Sequence, residues 1–150
     1  MSLIIGMTNP RNPLALDWPR LRDRLHREMR VVRSDDDRLL IEVGAPGASP
    51  SLVRVQSVRL GSRPAIELAL FVAAAAQLPP GALAAANENV ALGEIRIADG
   101  NAILQLALPL EDLSYAEITG TMASLVAEAR RMSWMLRPHA AARVLNHFAD

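Results

Sequence analysis

The chain has 150 residues, 51% of them hydrophobic, and sixteen acidic residues balance sixteen basic ones, all arginine. That length suits one domain with a buried core, and the neutral balance without a basic run gives no electrostatic footprint for nucleic acid. The absence of cysteine excludes disulfides, thiol nucleophiles and thiolate metal sites, and fits a reducing, cytoplasmic setting. No stretch approaches the roughly 20 apolar residues of a membrane helix, and the apolar patch of Met1 to Met7 is shorter than a signal-peptide core. The expectation is a soluble cytoplasmic protein with neither a nucleic-acid nor a membrane partner.

Residues 1–16 carry Pro10 and Pro13 with Asn9 and Asn12 and no sustained period, so an extended or flexible lead is expected. Residues 17–150 read as a single α+β domain. Asp17 is placed as an N-cap, Pro19 fits the first turn, and Trp18, Leu21, Leu25 and Met29 form one stripe at helical spacing. The stretch Val31 to Arg33 is too short to carry much weight as a strand. After the polar turn Ser34 to Asp37, Arg38 to Val43 alternates with Leu39, Ile41 and Val43 on one face. The strand Leu52 to Leu60 changes phase, which suggests a bulge near Gln56 and Ser57. Ala65 to Ala73 reads as a central strand, and Ala82 to Asn87 as a short helix, alanine-rich beneath close packing.

The clearest pattern comes next. Gly93 to Ala98 and Asn101 to Leu108 alternate around Asp99-Gly100, the pair favoured in two-residue type I′ hairpin turns. With Ala98 and Asn101 flanking the turn, Ile97 faces Ala102 and Ile95 faces Leu104, while Arg96 faces Ile103 and Glu94 faces Gln105. Ser114 and Glu117 then form a capping box, in which each side chain accepts from the other's backbone N–H. Ile118, Met122, Leu125, Val126, Ala129 and Met132 continue as an apolar stripe. Gly120 suggests close packing on the sheet. The predicted core is Ile95, Ile97, Leu104, Leu106, Ile118, Met122 and Leu125.

Chemistry is sparsely signalled. Gly44 to Gly47 lacks the lysine and hydroxyl residue of a phosphate loop. Asp35, Asp36 and Asp37 invite a calcium reading, but counting from Asp35 the sixth and twelfth positions are Leu40 and Pro46, where an EF-hand needs glycine and glutamate. His26, His139 and His147 belong to no metal or nucleophile motif. Glu94, Asp99, Glu111 and Asp112 are candidates for acid–base work, yet each has a simpler role on a solvent face, in a turn or at a helix start. No catalytic, cofactor-binding or metal-ligating residue is therefore assigned, and no cofactor is expected.

The stretch Leu83 to Met132 resembles bacterial type III secretion chaperones of the Tir chaperone type and their YbjN-like relatives. The resemblance rests on a short helix ending at Asn87, the strand Gly93 to Ala98, the Asp99-Gly100 turn, the run Leu104 to Leu110 and the capped helix from Ser114. It implies an α-β-β-β-α-β-β-α order, with an antiparallel sheet of about five strands. It also implies a non-enzymatic homodimer that holds a protein or peptide partner along apolar patches and strand edges, without ATP or metal. The chain departs from those chaperones in being neutral, since they are typically acidic. Trp18, Leu21, Leu25, Val144, Leu145 and Phe148, in terminal elements that a sheet under one long helix need not bury, are the candidate partner-binding residues. The competing expectation is a small-molecule site or enzyme with a cleft containing Glu94 or Asp112.

Overall fold

The computed structural model describes residues 16–45 and 48–136. Their order is α1 (Trp18–Glu28), β1 (Arg30–Ser34), β2 (Arg38–Ala45), β3 (Ala48–Leu60), β4 (Arg63–Ala74), α2 (Ala82–Asn89), β5 (Glu94–Ala98), β6 (Asn101–Pro109) and α3 (Tyr115–Met135). This is an α+β fold with one antiparallel sheet of six strands in the order β1-β2-β3-β4-β6-β5. The sheet has six strands instead of five because Arg30–Ser34 pairs with β2. The pairing shifts between Val31 and Arg33, so a stretch with no pattern of its own becomes a strand through its neighbour. The expected central strand is β4.

The described residues cluster into two compact units, one drawn from 16–68 and 107–123 and the other from 69–106 and 124–136. In the first, α1 begins as its sequence dictates: Asp17 accepts from the Arg20 N–H at 2.9 Å, and Leu21 and Leu25 are fully buried. β2 and β3 pair without a break from Arg38↔Gln56 to Val43↔Ser51, and the shift falls between Val43 and Ala45; this pairing ends at Gln56, so it does not reach across the Gln56-Ser57 step where a bulge is expected. Leu39, Ile41, Val53 and Val55 point to one face and are fully buried, the outcome of period-two alternation over a covered face. Ile118 and Met122, from the first half of α3, are also fully buried. The capping box forms, with Ser114 N–H on Glu117 Oε1 at 3.0 Å and Glu117 N–H on Ser114 Oγ at 3.2 Å.

The second unit contains the hairpin. β5 and β6 pair in the register read from the sequence, Glu94↔Gln105 through Ala98↔Asn101, and Asp99 and Gly100 both have positive φ, 51° and 78°, as a type I′ turn requires. Ile95, Leu104, Leu125, Val126, Ala129 and Met132 are buried. Three expectations are corrected. Ile97 is 47% exposed and Leu106 is half-buried, because register fixes which face a residue takes but not how far a helix extends over that face. Leu125 lies near Gly93 and Leu104, at the end of the hairpin away from the turn, whereas Ile97 is close to the turn. Gly120 has no close neighbour, and the close approach is at Gly93, where an added Cβ would sit 2.8 Å from the Gln105 carbonyl oxygen. α2 buries only Ala86, so its alanines do not reflect tight packing all round.

Candidate functional site

One candidate site is an apolar groove in the second unit. Pro79 and Pro80 have no backbone N–H with which to continue a helix or ladder. Gly81 then enters α2 with φ 77°. α2 presents Ala82, Ala85 and Ala86, and these line a groove of about 260 Å³ together with the prolines, Asn89 and the end of α3 at Met135 and Leu136. Met135 is 45% exposed, and the preceding Trp134 is 62% exposed.

The groove walls are tied together by a polar network that the sequence did not announce. Glu128 on α3 is almost fully buried and accepts from Arg131 Nε at 2.8 Å and from the Ala91 N–H, while Arg131 Nη2 donates to the Asn89 carbonyl at 2.7 Å. The Arg131 hydrogen bond is the main cause holding the Glu128 carboxyl below the usual range, with burial opposing it and the Ala91 N–H assisting. This helix carboxylate thus satisfies backbone and guanidinium donors at once.

Asn87 on α2 closes part of the sheet edge. Its Nδ2 donates to the Ile95 carbonyl at 3.0 Å and its Oδ1 accepts from the Ile95 N–H at 2.8 Å, so one amide occupies the outward hydrogen-bonding pair of β5. The other edge strand, β1, has five residues, carries Arg30 and Arg33, and is irregular at Val32. Shortness, charge and irregularity are the features that discourage an incoming strand.

A second candidate lies in the first unit, where Arg33, Asp35, Arg38, Leu40 and Arg54 line a pocket of about 220 Å³. Arg33 is paired with Leu40, and Leu40 with Arg54, so the three form one row across β1, β2 and β3. Arg38 precedes Leu40 by two and shares its face. Arg38 Nη2 lies 3.5 Å from Asp35 Oδ2, and Arg54 Nη2 donates to Glu67 Oε1 at 3.0 Å. Arg54 Nε is buried without an acceptor.

The partner-binding residues expected at the N-terminus are not a free surface. Leu21 and Leu25 are 0% exposed, because the stripe that would have met a partner completes the core of its own unit. Trp18 is half-buried, and its indole N–H donates to the Asp36 carbonyl at 2.8 Å. Val144, Leu145 and Phe148, like His139 and His147, lie outside the described residues. Among the described residues the large exposed apolar side chains are elsewhere, with Phe71, Ile97, Trp134 and Met135 in the second unit and Val32, Leu52 and Leu60 in the first.

Each of the three aspartates of the β1–β2 turn offers its backbone carbonyl to a donor. Arg22 Nε donates to the Asp35 carbonyl and the Ser57 N–H to that of Asp37; with Trp18 on Asp36, three successive carbonyls hold the turn to α1 and β3. Among the described residues no group of three or more histidines and carboxylates is arranged to hold a metal ion. His26 Nε2 lies 3.0 Å from Ser34 Oγ. Glu111 and Asp112 both receive Arg63, at 2.7 and 3.2 Å, and the Glu111 hydrogen bond is the main cause raising the Arg63 pKa. Glu94 is exposed and 3.8 Å from Arg96, Asp99 is a turn residue, and neither pocket includes Glu94 or Asp112. No helix among the described residues is long and apolar enough to cross a membrane.

No protein-family model matches the chain, and no curated protein matches it significantly.

Proposed function

We infer that this protein is a non-enzymatic, homodimeric polypeptide-binding protein, chaperone-like in the manner of its secretion-chaperone resemblance, that takes an apolar side chain of its partner into the groove between α2 and the end of α3. The observation that carries the reading is the groove itself, with apolar walls from Pro79, Pro80, Ala82, Ala85 and Leu136 and the partly exposed side chain of Met135 at its margin. Its volume of about 260 Å³ falls below the roughly 300–1,000 Å³ of drug-sized ligand sites and accommodates one or two side chains. Methionine adapts to varied apolar shapes, which suits a partner recognised by hydrophobicity and not by one fixed geometry. Strand addition is the less favoured mode, since Asn87 occupies the outward pair of Ile95 on β5 and β1 is short and irregular.

The test uses a blocked peptide of leucines spaced by glycine and serine, titrated against a Trp18→Phe variant so that Trp134 is the remaining indole. The expected result is a saturable change in Trp134 emission that Met135→Glu removes while the fold is retained. No change at any peptide concentration refutes the groove. Sedimentation at micromolar concentration examines the dimer, and a lone species near 16.2 kDa refutes it. A turnover lost on Glu94→Gln or Asp112→Asn replaces this reading with an enzyme.

A further inference from the structure

We propose that the pocket on the β1–β2–β3 face binds a single carboxylate group, clamped between Arg33 and Arg54 over Leu40. The site is independent of the apolar groove and belongs to the first unit.

The geometry follows from register. Arg33↔Leu40 and Leu40↔Arg54 are cross-strand partners, so the two arginines flank Leu40 at about 10 Å, two strand spacings. Their long side chains can converge above it, and Arg38 approaches from two positions along β2. Three guanidiniums on adjoining positions of one face repel one another. Two carboxylates offset this in part: Asp35 beside Arg38, and Glu67 on Arg54. Glu42, on the same face, is taken by Arg30 at 3.1 Å. Arg33 has no ion pair or side-chain hydrogen bond among the described residues. Arg54 offers five N–H donors, and its buried Nε has found no acceptor.

One unit of positive charge is therefore left over in the pocket wall, together with unused guanidinium donors. A carboxylate matches both, because it brings one negative charge and two acceptor oxygens in the plane that a guanidinium fork engages. A phosphate dianion overshoots the charge and meets Asp35 in the wall. Leu40, half-buried at the floor, suits the methyl or methylene carbon next to the carboxylate.

Amide-resolved NMR at constant ionic strength tests the site with acetate, acetamide, chloride and inorganic phosphate. A second pair of probes consists of blocked peptides that differ only in a central glutamate or glutamine. The expected result is saturable shifts at Arg33, Arg38, Leu40 and Arg54 with acetate, absent with acetamide and weaker by at least tenfold in Arg33→Gln. Arg33→Lys, which keeps the charge but not the fork, is expected between the two. Because Arg33 is exposed and has no ion pair among the described residues, these variants should keep the wild-type spectrum elsewhere, whereas Arg54 is avoided because its loss also removes its ion pair with Glu67. Tighter binding of the glutamate peptide than of acetate assigns the carboxylate to a polypeptide side chain, and the reverse order assigns it to a small acid. Equal shifts with chloride, tighter binding of phosphate, or full binding by Arg33→Gln each overturn the proposal. Trp134 emission reports on the groove alone, so failure at the arginines leaves the polypeptide reading to its own test.

Discussion

Gly93→Ala examines the packing of α3 on the hairpin where Leu125 approaches Gly93. Gly93 has φ +83°, and a Cβ there would lie 2.8 Å from the Gln105 carbonyl oxygen, 3.2 Å from Leu104 Cδ1 and 3.4 Å from Leu125 Cδ1. The left-handed backbone costs a non-glycine residue about 1–2 kcal/mol. Displacing the carbonyl of a paired strand adds about 1–3 kcal/mol, as overpacking does elsewhere. The expected loss is therefore roughly 2–5 kcal/mol, which at a urea slope of about 2 kcal/mol/M moves the midpoint down by roughly 1–2.5 M. Gly120→Ala is the matched control: it lies in the exposed interior of α3 with nothing within 4 Å. Replacing a helical glycine there should stabilise by about 1 kcal/mol. Opposite signs from the same substitution separate backbone geometry from composition. A Gly93→Ala variant within about 0.5 kcal/mol of wild type would refute the proposed contact between Gly93, β6 and α3.

Leu104→Ala should cost about 2–5 kcal/mol by urea unfolding, whereas Ile97→Ala, on the same hairpin face but half exposed, should cost under about 1 kcal/mol; equal losses would mean that the helix covers the hairpin evenly. Glu128→Gln should destabilise by about 1–2 kcal/mol at neutral pH, less than a fully buried charged hydrogen bond because Arg131 is half exposed. The Glu128 carboxyl is held below its ordinary value, so its contribution is full above the unfolded pKa of about 4.3 and is lost as pH falls through the folded value. Unfolding midpoints of wild type and variant should therefore converge in acid, and a gap constant with pH would remove the charge from the explanation. Asn87→Ala should lose about 1–3 kcal/mol for two hydrogen bonds and expose the outward pair of Ile95. Concentration-dependent association by sedimentation is the expected accompaniment, and an unchanged monomer–dimer balance would show that the amide does not guard the edge.

The hairpin and the capped helix were legible residue by residue because their determinants are local. Asp99-Gly100 accepts positive φ, alternation on either side assigns faces, and Ser114 and Glu117 satisfy each other's N–H groups within one turn. Asp17 likewise fixed the start of α1 through the Arg20 N–H. The sequence by itself thus determined element type, hairpin register and helix starts. What it left open was decided by partners distant in the chain. Val31 to Arg33 carries no pattern, and it became a strand because β2 offered a ladder. Leu21 and Leu25 form a stripe that fits a partner or a core equally well, and only the packing of the first unit buried them. Gly93 and Gly120 look alike in sequence, yet a carbonyl approaches one and nothing approaches the other. The groove between α2 and α3, the Glu128–Arg131 network and the arginine row across three strands combine residues from separate elements. No local periodicity encodes those meetings, because they depend on where the sheet and the helix ends bring side chains together.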